Sequence, residues 1–337
     1  MSFETSKVNQ FKDQLARGSQ TLAALVQTHG PVVRQRTMDL VRKIKEQYDR
    51  GFGKPTMVGQ THSIAETQQK NTQMQVRDWL GKGASKLVSG REQDLLDFPK
   101  NHPDGYLDRI ILFHLKQRAI AENDQNFLEG LHQNYWAELA HLDSFLENEK
   151  NFFEFVCAEQ TQELEILNHL AQSCEHVVDL GCGSGKMTEY VKNNFGPFQS
   201  VSGVDINMRR ILEQAPPVDP EIRFFQADGL NWLEKSAQPH SLFLTNGGVL
   251  EGQSRASVNA LLQLIQADSK PAVFFANEPI ASDHNFTTCK DSVPFGDELT
   301  FSHNYTDVFE SNGFKIAHQR SVVFNSWKIL STIAVAL

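Results

Sequence analysis

Residues 176–186 join a short apolar run to three glycines at alternate positions. His176, Val177, Val178, Asp179 and Leu180 lead into Gly181, Gly183 and Gly185, and Lys186 follows. An apolar run of this length, closed by glycine, reads as a buried strand. Alternating glycines let the backbone turn tightly and let a ligand approach the peptide groups. A strand that breaks this way into a helix commits the chain to a layered α/β fold. The spacing is Gly-x-Gly-x-Gly. It is neither the Gly-x-Gly-x-x-Gly of nicotinamide enzymes nor the lysine-ended phosphate loop.

From His176 onward apolar runs alternate with helical segments. The runs are 176–180, 200–204, 222–226, 241–244 and 272–276, with helices expected over 186–194, 208–213, 230–234 and 256–266. That alternation predicts a parallel sheet covered on both faces. The last two runs, 314–324 and 327–337, are separated by a turn so short that only an antiparallel hairpin fits. Upstream the pattern is helical, with helices expected over 5–28, 32–48, 64–80, 106–120, 127–146 and 152–170. The expected division is a helical lid or dimerisation domain, 1–150, and a ligand-binding domain, 151–337.

Composition narrows the function. The 337 residues are 40% hydrophobic, enough for a sizeable core, and carry a net charge of −9, which argues against a nucleic-acid partner. Four scattered cysteines show no metal or disulfide spacing, and no metal is expected. No run of about 18 apolar residues suggests a membrane span. The expectation is a soluble, cytoplasmic protein.

Two acids stand at the tips of the next strands. Asp205 ends the second run, 20 residues after Gly185, and Asp228-Gly229 follow the third. A carboxylate at the first position can accept both hydroxyls of a ribose. These three segments, in this order, resemble the first three cofactor motifs of the class I S-adenosylmethionine-dependent methyltransferases. The resemblance covers about 165 residues. It implies a seven-stranded doubly wound sheet, six strands parallel and one antiparallel, here behind an all-helical N-terminal domain. It also implies S-adenosyl-L-methionine as cofactor. Asp179 and Gly181 would lie near the methionine part, with Gly183 and Gly185 in the loop. Asp205 would hold the ribose, Ile206 would pack on the adenine, and Asp228 and Gly229 would bind it. Thr245 and Asn246 would face the sulfonium and the substrate.

Strand four lacks the Asn/Asp-Pro-Pro-Tyr/Phe ending of amino-methylating enzymes, so a small-molecule acceptor is expected. Gly247-Gly248-Val249-Leu250-Glu251 and the helical N-terminal half look somewhat like bacterial 2-oxo acid C-methyltransferases. Carbon methylation beside a ketone needs a base and a group to hold the enolate. His303, His284 and Glu251 are the catalytic candidates, with His132 behind them. The long stretch 277–300 reads as a functional loop. A homodimer paired through the N-terminal helices is expected. The alternatives are O-methylation of a small hydroxylated metabolite and a non-catalytic scaffold or sensor.

Overall fold

The computed structural model describes residues 112, 115–117, 119–137, 142–214, 219–296 and 298–337. The helices expected within 1–111, and the dimer contact through them, lie outside the described residues. The compact unit that holds the site is Asn123–Leu337. It opens with α1 (Gln125–Ala137), α2 (Leu142–Glu159) and α3 (Thr161–Ala171). The boundary expected between 150 and 151 falls inside α2, which runs through it unbroken.

The sheet is built by β1 (His176–Leu180), α4 (Lys186–Asn194), β2 (Ser200–Asp205), α5 (Met208–Gln214), β3 (Arg223–Gln226), α6 (Gly229–Ser236), β4 (Ser241–Asn246), α7 (Arg255–Asp268) and β5 (Ala272–Ile280). A small hairpin of β6 (Val293–Phe295) and β7 (Thr300–Ser302) follows, then α8 (Tyr305–Ser311), β8 (Lys315–Phe324) and β9 (Trp327–Ala336). The strand order is β3-β2-β1-β4-β5-β9-β8. β1 to β5 pair in parallel, and β9 is inserted antiparallel between β5 and β8. Six strands therefore share one direction and one opposes them.

Both faces are covered, so the strands read as continuous apolar runs rather than alternating ones. Val178, Leu180, Phe243 and Phe274 pack on one face under α7. Val177, Leu242, Leu244 and Phe275 pack on the other against α2 and α3. Each such buried side chain contributes about 1.5–3 kcal/mol. α3 is fastened to the sheet by the fully buried Glu163. Arg320 of β8 and His318 both donate to it, at 2.7 Å and 3.1 Å. Burial works against that carboxylate's charge, yet these partners hold its pKa below the ordinary value.

Register also aligns three polar residues across the sheet. Asn246 of β4 pairs with Asn277 of β5, which pairs with Ser331 of β9. Gln160, at the joint of α2 and α3, joins the row. Its amide donates to Asn277 Oδ1 at 3.1 Å, and the Ser331 hydroxyl donates to the same oxygen at 2.7 Å. Asn277 Nδ2 in turn donates to Asn246 Oδ1 at 2.9 Å. Gln160, Asn277 and Ser331 are all fully buried, and mutual pairing offsets their desolvation.

Candidate active site

The sheet order reverses between β1 and β4, which opens a crevice beyond their carboxyl ends. The glycine loop forms its floor. Gly181 has φ +66° and Gly183 φ +53°, in the left-handed region. The Gly181 N–H donates to Val204 O at 2.7 Å, which ties the loop to β2. A Cβ on Gly181 would meet Val249 Cγ2 at 2.5 Å, and one on Gly183 would meet Glu149 Oε1 at 2.7 Å. Gly185 lines neither cavity described below. A Cβ there would strike Phe224 of β3 at 2.6 Å, so this glycine serves packing between the helix start and the sheet.

Asp205 joins loop and turn. Its Oδ2 accepts from the Gly183 N–H at 3.2 Å and its Oδ1 from the Asn207 N–H at 2.7 Å. Burial raises its pKa despite those two donors. Ile206, Asp228 and Gly229 stand with Asp205 around a cavity of about 160 Å³, closed by Trp136 and Phe145. Asp228 caps α6, its Oδ1 accepting from the Asn231 N–H at 3.1 Å. The sequence-predicted adenosine residues are thus brought together. An apolar slot with carboxylates at its rim suits a nucleoside. His132 lines the same cavity, and its Nε2 donates to Leu299 O at 3.1 Å.

A second cavity of about 450 Å³ adjoins the first through Gly181, Gly247 and Gly248. Its polar lining includes Asp179, Glu149, Lys186, Asn246 and Glu251, and its walls are aromatic, with Phe152, Phe153, Phe324 and Trp327. Asp179 is fully buried. Burial pushes its carboxyl up to about 7, helped by the charges of Glu149 and Asp205 and opposed by the Thr188 hydroxyl, which donates at 2.5 Å. Glu251 accepts from the Thr300 hydroxyl at 2.9 Å. Nothing in the sequence singles out Glu149. It stands in a run of charged residues on a helix, which looks like any solvated face.

Three of the residues expected at the site stand away from both cavities. Thr245 does not line either cavity. Successive strand residues face opposite sides, so Asn246 turns to the cleft while Thr245 is buried beside Glu278. His303 is fully buried and lines neither cavity. Its Nε2 donates to Leu250 O at 3.0 Å, and its Nδ1 accepts from the Ser292 hydroxyl at 2.6 Å. Burial pushes its pKa down to about 4. His284 also stands outside both cavities, bonded through Nδ1 to Ser302 Oγ at 2.9 Å and edge-on to Phe286. Of the three catalytic candidates, only Glu251 is brought to the cleft. Among the described residues, no three His, Cys, Asp or Glu side chains converge as a metal site, and no helix is long and apolar enough to cross a membrane.

Strand order, the inserted antiparallel β9 and the glycine loop together are the arrangement that the resemblance to the class I methyltransferases implies. No family model matches the chain. It is similar to the trans-aconitate 2-methyltransferase of Klebsiella pneumoniae (strain 342), 30% identical over 103 residues. That match covers 30% of this chain and only 39% of the relative. Among solved structures, the 1,6-didemethyltoxoflavin-N1-methyltransferase of Burkholderia thailandensis is 15% identical, with a TM-score of 0.41, over 58% of this chain and 86% of that one. A TehB-like S-adenosylmethionine-dependent methyltransferase of Corynebacterium glutamicum is 17% identical, with a TM-score of 0.40, over 59% and 99%. The [4+2]-cyclase SpnF is 12% identical, with a TM-score of 0.38, over 51% and 79%.

Proposed function

We propose that the chain is an S-adenosyl-L-methionine-dependent methyltransferase acting on a small molecule. The observation that carries this reading is the pair of adjoining cavities over one glycine loop, the first suited to adenosine and the second lined by carboxylates and aromatic rings. The cofactor would supply an electrophilic methyl group. Asp205 would accept from the ribose hydroxyls, Asp228 and Gly229 would meet the adenine edge, and Ile206 would lie against its face. The acceptor would enter beside Phe152 and Trp327, where aromatic walls offer apolar surface.

The finer reading is carbon methylation of a 2-oxo acid such as 2-ketoarginine, in antibiotic or other specialised biosynthesis. Glu251 would take the proton from the carbon beside the ketone. The oxygen of Asn246 is already taken by Asn277 Nδ2, which leaves the Asn246 N–H₂ group to hold the enolate oxygen. Carboxylates in this cleft also suit a guanidinium tail, which pairs with them in bidentate fashion. Among the described lining residues, Lys186 is the one Lys or Arg, a poor match for a tricarboxylate such as trans-aconitate. The protein would work in the cytoplasm as a homodimer, which sedimentation analysis would test.

The deciding experiment incubates the protein with S-adenosylmethionine and a panel of 2-oxo acids and hydroxylated aromatics, read by mass spectrometry. A methylated 2-oxo acid is the expected product. A methyl ether instead would move the reading to O-methylation. Cofactor binding without any turnover would point to a scaffold, and no cofactor binding by calorimetry would defeat the proposal.

A further inference from the structure

We infer that Glu149 of α2 and Lys186 of α4 form the seat for the amino-acid end of the cofactor, Glu149 taking its α-ammonium and Lys186 its α-carboxylate. The inference rests on the cofactor reading above and adds residues that the glycine-loop motif does not contain. Glu149 Oε1 is occupied. It accepts from the Ser184 N–H at 2.8 Å and from the Ser184 hydroxyl at 2.9 Å. Glu149 Oε2 is buried and meets no hydrogen-bond donor among the described residues. A buried carboxylate oxygen without a donor is unfavourable, so an unexplained one that borders a cavity points to a missing partner.

The charge around it says what that partner carries. Glu149, Asp179 and Asp205 crowd the loop, and each of the first two feels the negative charge of Asp205. Burial is the main cause that raises the Glu149 carboxyl, and the two Ser184 donors and then Lys186 oppose it. Lys186 donates to Ser184 Oγ at 3.2 Å, so cation and carboxylate flank one serine. An α-amino acid bears both its charges on a single carbon. Its receptor must therefore hold opposite charges side by side, and this pair does. An ammonium brings the three N–H donors and the positive charge that the crowded carboxylates lack.

Two ligands separate this from other roles. S-adenosylhomocysteine carries the amino-acid end, and 5′-deoxy-5′-methylthioadenosine lacks it. Both are titrated by calorimetry into the full chain and into Glu149→Gln, which keeps an acceptor for Ser184 but removes the charge. S-adenosylhomocysteine should bind about 10–100-fold more weakly to the variant, with methylthioadenosine unchanged within about twofold. Lys186→Met should show the same selectivity. Equal losses for both ligands would make Glu149 a brace for the loop. Unchanged binding of S-adenosylhomocysteine would mean the carboxylate does not meet the ammonium, and tighter binding that it obstructs the seat. Each of these results overturns the inference. Failure of the unaltered protein to bind either ligand would instead overturn the cofactor reading itself.

Discussion

The tips of β1 and β2 and the β6–β7 hairpin with His303 beside it both bury polar groups, yet they do so differently. Around the glycine loop, carboxylates are held against each other and one buried oxygen meets no donor among the described residues. In the hairpin region, His303 is just as buried, but both its ring nitrogens are bonded within the protein. Burial with complete pairing locks a structure, whereas burial with incomplete pairing at a cavity leaves work for a ligand. A histidine near a sheet edge is attractive as a base, but a nitrogen already bonded to a main-chain carbonyl cannot take a proton from a substrate.

The comparison is broken most directly at the loop. Gly183→Val should abolish S-adenosylhomocysteine binding, because the residue has φ +53° and its side chain would enter the space held by Glu149. Calorimetry showing affinity within tenfold of the unaltered protein would remove the loop from the site. Next, Glu251→Gln should lower turnover ~10²–10⁴-fold on the identified substrate while cofactor affinity holds. Retained turnover would leave the cleft without a base. Asp205→Ala should then weaken S-adenosylhomocysteine binding roughly 10–100-fold through loss of charge-assisted bonds.

The smallest effect belongs to the hairpin. His303→Gln should leave turnover within a few-fold and lower the melting temperature by several degrees, about 1–3 kcal/mol. It should also change the acid limb of stability. The folded pKa of His303 lies near 4, below its ordinary 6.5, so the unfolded chain binds the extra proton first as pH falls. Stability from this group is present above about 6.5 and is lost as pH drops through about 4. The variant should lose part of that slope in thermal melts between these pH values. A variant with an unchanged slope and collapsed turnover would return His303 to catalysis.

The sheet was largely legible because both its faces are buried. β1 and α4 fall where the apolar run and the lysine after the loop place them, and the closing hairpin begins and ends within a residue of expectation. The errors share a cause. β5 continues to Ile280 through Asn277 and Glu278, polar residues that hide a strand from any apolar reading yet are fully buried, Asn277 within its side-chain row and Glu278 with one oxygen accepting from the Leu250 N–H. The stretch expected as loop from 277 to 300 therefore holds the end of β5 and the first strand of the small hairpin. One helix expected over 152–170 is two, divided at Gln160, whose backbone leaves the helical region at φ −116° and ψ 36°. Neither glycine nor proline marks that joint. That Asp205, Ile206, Asp228 and Gly229 line one cavity is readable from spacing, since tips of parallel strands converge on one edge. Glu149 and Gln160 reach the site region from helices outside the motif, and no spacing rule connects them to it.

The row that runs from Gln160 through Asn277 to Asn246 sets the aim of a cleft residue from inside the core. Substitutions at Gln160, Asn277 or Ser331 would turn the Asn246 amide without altering any side chain that lines the cleft. Acceptor preference can therefore drift through positions that no survey of the cleft surface would include. Two proteins of this fold with the same visible lining need not modify the same molecule, and redesign of this one would begin three residues behind its wall.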